Sequence, residues 1–316
     1  MIHSMGAFAV FFPLFAVLLP LHGVGAQPQG DKGDTCSISK DSETKKKTFL
    51  SILCYGDSLT TGEVPSTTGT RQFFPYADHL RHALQSSVDS LEYSVQVDHI
   101  GLCGWTTDNM LGVLDDPQNG LRHALQKQLR KIREKDHDQD SEQDIEEEDD
   151  QEFQHHFVVV VILAGTNDLW PQNLNPTHDN IDEVTNHVLQ NLIRLHQVVW
   201  DIDDDCDADG DCGSNMMPPK MTTIAIGIPS SVYQVKDNPA ALKVRTEVNQ
   251  QLSQLAEASH DKKLLYVRFP FDYHETTLDS DVRKYWSRDG IHFSQQGYQL
   301  LGETVSRAIL DHVLKQ

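Results

Sequence analysis

Apolar runs of strand length alternate along this chain with segments in which apolar residues recur every three or four positions. The runs predict strands at residues 48–55, 157–165, 220–229 and 263–270, and an alternation with a period of two predicts a further strand at 93–101. The periodic segments predict helices at residues 74–87, 120–132, 181–200 and 241–258, and from 295 onwards. This alternation predicts one three-layer α/β/α domain with a five-stranded, mostly parallel sheet.

Polar and glycine-containing stretches follow the predicted strands. In chain order they read "YGDSLT", "GLCGWTT", "AGTNDLW" and "GIPSS", and "RDGIHFS" comes between the fifth strand and the last helix. Ligands of such sheets bind at the carboxyl ends of the strands. We therefore expect a serine, a histidine, an aspartate, an asparagine and a glycine to lie along one edge of the sheet.

These residue types suit nucleophilic catalysis by a serine. Ser58 would attack, His292 would remove its proton, and Asp289, three residues earlier, would orient the imidazole. The backbone N–H groups of Ser58 and Gly104 and the side-chain amide of Asn167 are available to stabilise an oxyanion. Each stretch alone is explained as well by a turn, an asparagine-stabilised loop or a surface histidine. Their joint order is much harder to explain structurally.

Together the four blocks resemble the SGNH hydrolases, also called the GDSL esterase/lipase family. The family's Gly-Asp-Ser, block-two glycine, Gly-x-Asn-Asp and Asp-x-x-His match "YGDSLT", "GLCGWT", "GTND" and "DGIH" in the same order. The resemblance implies a flavodoxin-like SGNH fold, Ser58, Asp289 and His292 as catalytic residues, and Ser58, Gly104 and Asn167 as the oxyanion hole, without a cofactor. "ILCYGDSLTTGEVP" is similar to the arylesterase branch.

Departures from the family pattern are modest. Cys103 and Trp105 flank the block-two glycine, and the tryptophan would either narrow an acyl pocket or pack as a rim aromatic. An ordinary α/β-hydrolase would need Gly-x-Ser-x-Gly, and the chain contains no such string.

The acidity of the chain is local. Residues 136–152 hold eleven acidic side chains and residues 201–211 hold seven. Without these eighteen negative charges the formal net charge would be −3 instead of −21. We interpret 136–152 and 201–215 as acidic surface insertions in a nearly neutral domain that spans 48–316. A nucleic-acid surface is not expected, because it needs clustered Lys and Arg.

The N-terminus has the pattern of a targeting segment. Residues 7–21 are uncharged and apolar, and small residues precede Gln27, so residues 1–26 are predicted to be a cleaved signal peptide. Residues 27–47 form a polar lead-in. The interpretation places the protein in the secretory pathway or outside the cell, without stable membrane insertion after cleavage. The alternative is an uncleaved anchor at 7–21, although this run is short for a spanning helix of about 20 residues.

The second acidic segment contains two of the five cysteines. Cys206 and Cys212 bracket "DADGD" and are the expected disulfide, and the odd count leaves at least one thiol free or paired elsewhere. The segment from Asp205 begins like an EF-hand loop, but its twelfth position is Met216 where a glutamate is required. A surface loop is preferred over weak calcium binding. No metal-ligand spacing occurs at the predicted strand ends, so no catalytic metal is expected.

The leading hypothesis is a secreted serine ester hydrolase that works through an acyl-enzyme. An acyltransferase or a carbohydrate acetylesterase would use the same residues. A non-catalytic extracellular binding protein is the alternative from another class. Short acyl esters, acetylated polysaccharides, lysophospholipids and thioesters all fit as substrates, so a lipase, a lysophospholipase and a thioesterase stay open. The sequence does not predict an oligomeric state.

Overall fold

The structure is a computed structural model that describes residues 47–66, 69–89, 92–137, 153–205, 219–259, 261, 263–273 and 282–315. The predicted signal peptide, nearly all of the polar lead-in and the expected Cys206–Cys212 pair lie outside these ranges. So do most of the two acidic segments and of the loop considered for calcium. None of the helices within these ranges has the length and apolar character needed to cross a membrane.

The strands and helices follow the predicted alternation. The strands are β1 (Lys47–Asp57), β2 (Glu63–Pro65), β3 (Arg71–Phe73), β4 (Tyr93–Leu102), β5 (Phe153–Leu163), β6 (Lys220–Ile226) and β7 (Leu264–Val267). The helices are α1 (Ser58–Thr61), α2 (Tyr76–Ser87), α3 (Thr107–Leu111), α4 (Leu121–His137), α5 (Ile181–Asp205), α6 (Val232–Lys236), α7 (Pro239–Ala258) and α8 (Gln295–His312). Short 3₁₀ turns occupy Asn167–Leu169 and Val282–Tyr285.

Five of the described strands form a parallel sheet in the order β4-β1-β5-β6-β7. Counted along the chain within this sheet, the order is 2-1-3-4-5, which is the flavodoxin-like arrangement. The predicted five-stranded parallel sheet is therefore confirmed. The order reverses at β1, and Gly56 of β1 is level with Gly101 of β4 and Leu163 of β5. The loops after these three strands consequently start at the same edge of the sheet, where ligands of such folds bind.

Helices cover both faces of the sheet. In β5, Val158 and Val160 belong to one hydrophobic cluster, and Val159 and Val161 belong to the other. The first cluster contains buried residues of α4, α5 and α7, and the second contains those of α2 and α8. The prediction that this run is apolar on both faces because helices cover it is confirmed.

The structure differs from the predicted elements at helix ends and in short elements. Helix α4 ends at His137 rather than at residue 132, and the short helices α1, α3 and α6 were not predicted. Helix α5 ends at Asp205 rather than at residue 200, so the first residues of the second acidic segment continue the helix. The reason is Ile202, which is buried and extends the apolar stripe by one turn. The antiparallel pair β2–β3 was not predicted, because strands of three residues are too short to show a period of two.

Candidate active site

Ser58 stands at the junction of β1 and α1, and its two preceding residues shape the turn. Asp57 Oδ1 accepts a hydrogen bond of 2.9 Å from the backbone N–H of Leu59 and so caps α1. A Cβ atom on Gly56 would lie 1.9 Å from the carbonyl oxygen of Leu163, so only glycine lets strands β1 and β5 approach each other this closely. The "GDS" string therefore combines a close approach, a helix cap and a serine at the end of a central strand.

Ser58, His292 and Asp289 are in hydrogen-bond contact. His292 Nε2 lies 3.0 Å from Ser58 Oγ, and His292 Nδ1 lies 2.7 Å from Asp289 Oδ2. Asp289 Oδ1 accepts bonds of 3.0 Å from the backbone N–H groups of Ile291 and His292. Burial raises the pKa of Asp289, but the bond from His292 and those from the backbone outweigh it, so the net pKa lies below its ordinary value. An ionised Asp289 can only accept, which assigns the proton to Nδ1 and leaves Nε2 free to accept from Ser58.

The loop that holds His292 is braced against α6. Gly290 adopts φ 65°, in the left-handed region that favours glycine, and its carbonyl accepts a 2.9 Å bond from the N–H of Val232. A Cβ atom on Gly290 would lie 2.7 Å from Cβ of Val232. The carbonyl of His292 accepts a 2.8 Å bond from the N–H of Ser287. These contacts hold the histidine loop in place beside Ser58.

A hydrogen bond joins the loop that carries Gly104 to the loop that carries Asn167. Asn167 Nδ2 donates a 3.0 Å hydrogen bond to the carbonyl oxygen of Trp105, the neighbour of Gly104. Trp105 is half-buried and packs against the hydrophobic cluster, as expected for a rim aromatic. Gly104 adopts φ 79°, and no described atom beyond its chain neighbours lies within 4 Å of the position a Cβ would take. Glycine is thus favoured there by its backbone conformation.

Asp168 and Thr107 are site residues that the sequence reasoning missed. Asp168 is fully buried and accepts from Thr107 Oγ1 at 2.6 Å and from the Thr107 N–H at 3.0 and 3.2 Å. Burial raises the pKa of Asp168, and the bonds from Thr107 oppose that effect. The only sequence signal is its position directly after Asn167 in "GTND". Nothing in the sequence indicates Thr107 as its partner.

Asp57, which caps α1, is a buried carboxyl group with a raised pKa. It is fully buried, and burial raises its pKa to about 7, against the opposing effect of the hydrogen bond from the Leu59 N–H. Its Oδ2 atom has no hydrogen-bond partner among the described residues. The Thr166 hydroxyl lies near enough to lower the pKa but outside hydrogen-bonding geometry.

The cysteines near the site are free thiols. Cys103 is exposed and its Sγ lies 3.5 Å from the hydroxyl of Thr61, whereas Cys54 is buried in β1. Burial raises the pKa of both thiols, that of Cys54 to about 12. Neither thiol is therefore activated as a nucleophile at neutral pH. Within the described ranges, no group of three or more His, Cys, Asp or Glu side chains could hold a metal ion.

Comparison with known proteins places this site in a family. A family model described as GDSL-like Lipase/Acylhydrolase matches residues 52–305, which is most of the chain. The chain belongs to this family. The resemblance carried by the four sequence blocks is thereby confirmed, and the protein is an ester-bond hydrolase. No curated protein matches the sequence significantly.

Solved structures with the same fold include several esterases. The lipase/acylhydrolase from Enterococcus faecalis is 20% identical, with 82% of this chain and 94% of that chain covered and a TM-score of 0.45. A carbohydrate acetylesterase from Sinorhizobium meliloti is 17% identical, with 83% and 98% covered and a TM-score of 0.46. The aryl esterase of M. smegmatis is 18% identical, with 83% and 98% covered and a TM-score of 0.48.

Proposed function

We propose that this GDSL-type hydrolase cleaves carboxylic esters through an acyl-enzyme on Ser58. The observation that carries the proposal is the continuous hydrogen-bonded contact from Ser58 Oγ through both ring nitrogens of His292 to Asp289. A serine hydroxyl needs a positioned base to become a nucleophile, and the base needs an orienting group. The three side chains supply these parts.

Acylation begins with attack of Ser58 Oγ on the ester carbonyl carbon while His292 Nε2 takes the hydroxyl proton. Asp289 stabilises the imidazolium that forms and keeps the ring in the correct orientation. The carbonyl oxygen becomes an oxyanion, which accepts from the N–H groups of Ser58 and Gly104 and from the side chain of Asn167. The bond to the leaving alcohol then breaks, and His292 returns the proton to the alcohol oxygen.

Deacylation repeats these steps with water as the nucleophile. His292 removes a proton from the water as its oxygen attacks the acyl carbon, and the same donors hold the second oxyanion. The bond to Ser58 Oγ breaks, Ser58 regains the proton from His292, and the carboxylic acid leaves. An alcohol in place of water would transfer the acyl group instead.

The substrate in this proposal is a small-molecule, carbohydrate or lipid ester outside the cytoplasm. Support for the secretory route is the pattern of residues 1–26. Expression of the full chain in a secreting cell should give a soluble product in the medium that begins at Gln27. A product that keeps residues 7–21 and sediments with membranes would support the anchor instead.

The catalytic proposal is tested by ester hydrolysis with matched serine variants. The chain from Gln27 is assayed with p-nitrophenyl acetate, butyrate and octanoate, beside Ser58→Ala and Ser86→Ala. Ser86 is an exposed serine of α2 whose hydroxyl donates a 2.8 Å hydrogen bond to the carbonyl oxygen of His82 in the same helix. We expect Ser58→Ala to lose at least about 10³-fold in kcat and Ser86→Ala to keep the wild-type rate. Equal rates for wild type and Ser58→Ala would overturn the mechanism.

A further inference from the structure

We propose that Asp168 is a positioning residue, which sets the relative placement of the two loops that carry Gly104 and Asn167. The inference rests on the function proposed above, because it assigns Gly104 and Asn167 to the stabilisation of an oxyanion. Asp168 itself touches neither Ser58 nor His292 by any described hydrogen bond. It acts through Thr107.

The contact between the loops is concentrated on one carboxylate. Asp168 follows β5, and Thr107 lies beyond β4, sixty-one residues away in sequence. All three hydrogen bonds that Thr107 donates, two from its N–H and one from its hydroxyl, end on the two oxygens of Asp168. Both residues are fully buried. Bonds to an ionised acceptor in such a setting are stronger than those between neutral groups.

The same contact fixes the two oxyanion donors. Asn167 and Asp168 are neighbours, and they bind Trp105 and Thr107, which follow Gly104 at one and three residues. An amide NH₂ has two hydrogens, and the bond to the Trp105 carbonyl uses one of them. The rotation of the Asn167 side chain is thereby set, and its second hydrogen is left to donate. A displacement of Thr107 would move Gly104 relative to this hydrogen.

The Thr107 hydroxyl is held from the other side as well. Its oxygen accepts a 3.1 Å bond from Asn191 Nδ2 of α5, while its hydrogen is donated to Asp168. Asn191 Nδ2 also donates to Asp108 Oδ1 at 2.9 Å, and Asp108 Oδ2 lies 2.7 Å from His187 Nε2. The hydroxyl therefore has one orientation that satisfies both partners, and this makes Thr107 a rigid link.

Removal of the charge of Asp168 distinguishes a positional role of this residue from an electrostatic one, because the two roles predict opposite changes in rate. A carboxylate next to the oxyanion donors repels the negative charge that develops in the transition state. Removal of that charge by itself would speed the reaction. If Asp168 acts by geometry, its replacement with asparagine instead slows the reaction, because Thr107 donates to both carboxylate oxygens and the amide replaces one of these acceptors with an N–H₂ group.

The test uses substitutions at both ends of the contact. Thr107→Val removes only the hydroxyl and keeps the backbone N–H bond, and Thr107→Ser keeps both. Asp168→Asn changes the acceptor. The matched control is Thr223→Val, a fully buried threonine of β6 whose hydroxyl bonds the carbonyl of Lys263 at 3.0 Å. The readouts are kcat and KM for p-nitrophenyl butyrate, and inhibition by an alkyl trifluoromethyl ketone, which forms an oxyanion adduct with the serine.

We expect Thr107→Val to lower kcat about tenfold and Asp168→Asn about 10- to 100-fold, with KM within about threefold of wild type in both. The affinity for the trifluoromethyl ketone should fall by the same factors as kcat. Thr107→Ser should restore the wild-type values, and Thr223→Val should keep them although it loses a buried hydrogen bond. A purely structural role would lower the melting temperature without this match between kcat and inhibitor affinity.

Three results would overturn the inference alone, with the wild type active. They are an unchanged kcat in folded Thr107→Val, a faster Asp168→Asn, and an equal loss in Thr223→Val. A wild type that neither hydrolyses the ester nor binds the ketone would overturn the proposed function, and the inference with it. If the wild type hydrolyses the ester and Ser58→Ala does not, the proposed function holds and any of the three results above counts against the inference alone.

Discussion

Gly56 and Gly104, near Ser58, are required for different reasons. Substitution of each by alanine should therefore have different effects on stability and activity. A Cβ on Gly56 would meet the Leu163 carbonyl at 1.9 Å, whereas a Cβ on Gly104 would enter open space at φ 79°. Gly56→Ala should therefore lower the free energy of unfolding by about 2–4 kcal/mol, by forcing β1 and β5 apart. Gly104→Ala should cost only about 1–2 kcal/mol of backbone strain.

The activities of the two variants should follow the opposite order. Gly104→Ala places a methyl group and a displaced N–H beside the proposed oxyanion, so its kcat should fall about 100-fold. Urea unfolding and p-nitrophenyl butyrate kinetics on both variants check the pair. The account would be contradicted by a Gly104→Ala variant with normal kcat, or by a Gly56→Ala variant as stable as the wild type.

The burial of Asp57 predicts a stability of the fold that depends on pH. Its pKa is raised by burial from 3.8 to about 7, so the folded chain keeps a proton that the unfolded chain has lost between these values. Its contribution to stability therefore falls as the pH rises from about 4 to about 7. Asp57→Asn keeps the acceptor for Leu59 but cannot ionise.

The stability difference between Asp57→Asn and wild type should grow with pH. At about 1.4 kcal/mol per pKa unit, the variant should gain up to about 4 kcal/mol on wild type between pH 4 and pH 8. Urea unfolding of both proteins at these two pH values measures the change. A difference that stays constant with pH would show that Asp57 is ionised throughout.

At the scale of elements, α7 is tied to the segments that follow β6 and β7 by a partly buried ion pair. Arg245 of α7 donates from Nε to the Ile228 carbonyl at 2.8 Å and from Nη2 to Asp272 Oδ2. The two charged side chains are only 11% and 14% exposed. Loss of one partner from a buried pair leaves the other charge unpaired.

Arg245→Met should lower the free energy of unfolding by about 1–3 kcal/mol, because the partly buried Asp272 is left without its partner. The double variant Arg245→Met/Asp272→Leu should be more stable than Arg245→Met alone, since it removes the unpaired carboxylate. Urea unfolding of the single and double variants completes a cycle. Strict additivity of the two substitutions would mean that the side chains do not interact.

The elements also show what a sequence pattern can and cannot predict. Four of the five sheet strands were predictable as apolar runs of strand length, and the strand at 93–101 was predictable from its alternation with a period of two. Four of the loops that follow the strands carry a recognisable block. The brace from Asp168 to Thr107 was not, because the pattern gives no pairing for side chains sixty-one residues apart. The end of α5 depended on one buried residue, Ile202, inside an acidic run.

At the scale of the whole molecule, strand order places the candidate site. Ser58 follows the strand at which the order reverses, and the loops after its two neighbours begin level with it. Gly104 and Asn167 therefore reach the same edge as Ser58 from opposite sides. His292 arrives from beyond β7, and the spacing of strands alone does not predict its 3.0 Å contact with Ser58.

The central claim is that Ser58 carries the acyl group during turnover. The most direct test is to mix the protein with p-nitrophenyl butyrate, stop the reaction with acid within the first turnover, and locate the butyryl group by peptide mass spectrometry. We expect one butyryl group per molecule on Ser58, formed in step with a burst of p-nitrophenol. It would be contradicted by turnover without an acylated serine, or by a butyryl group on another residue such as Cys103.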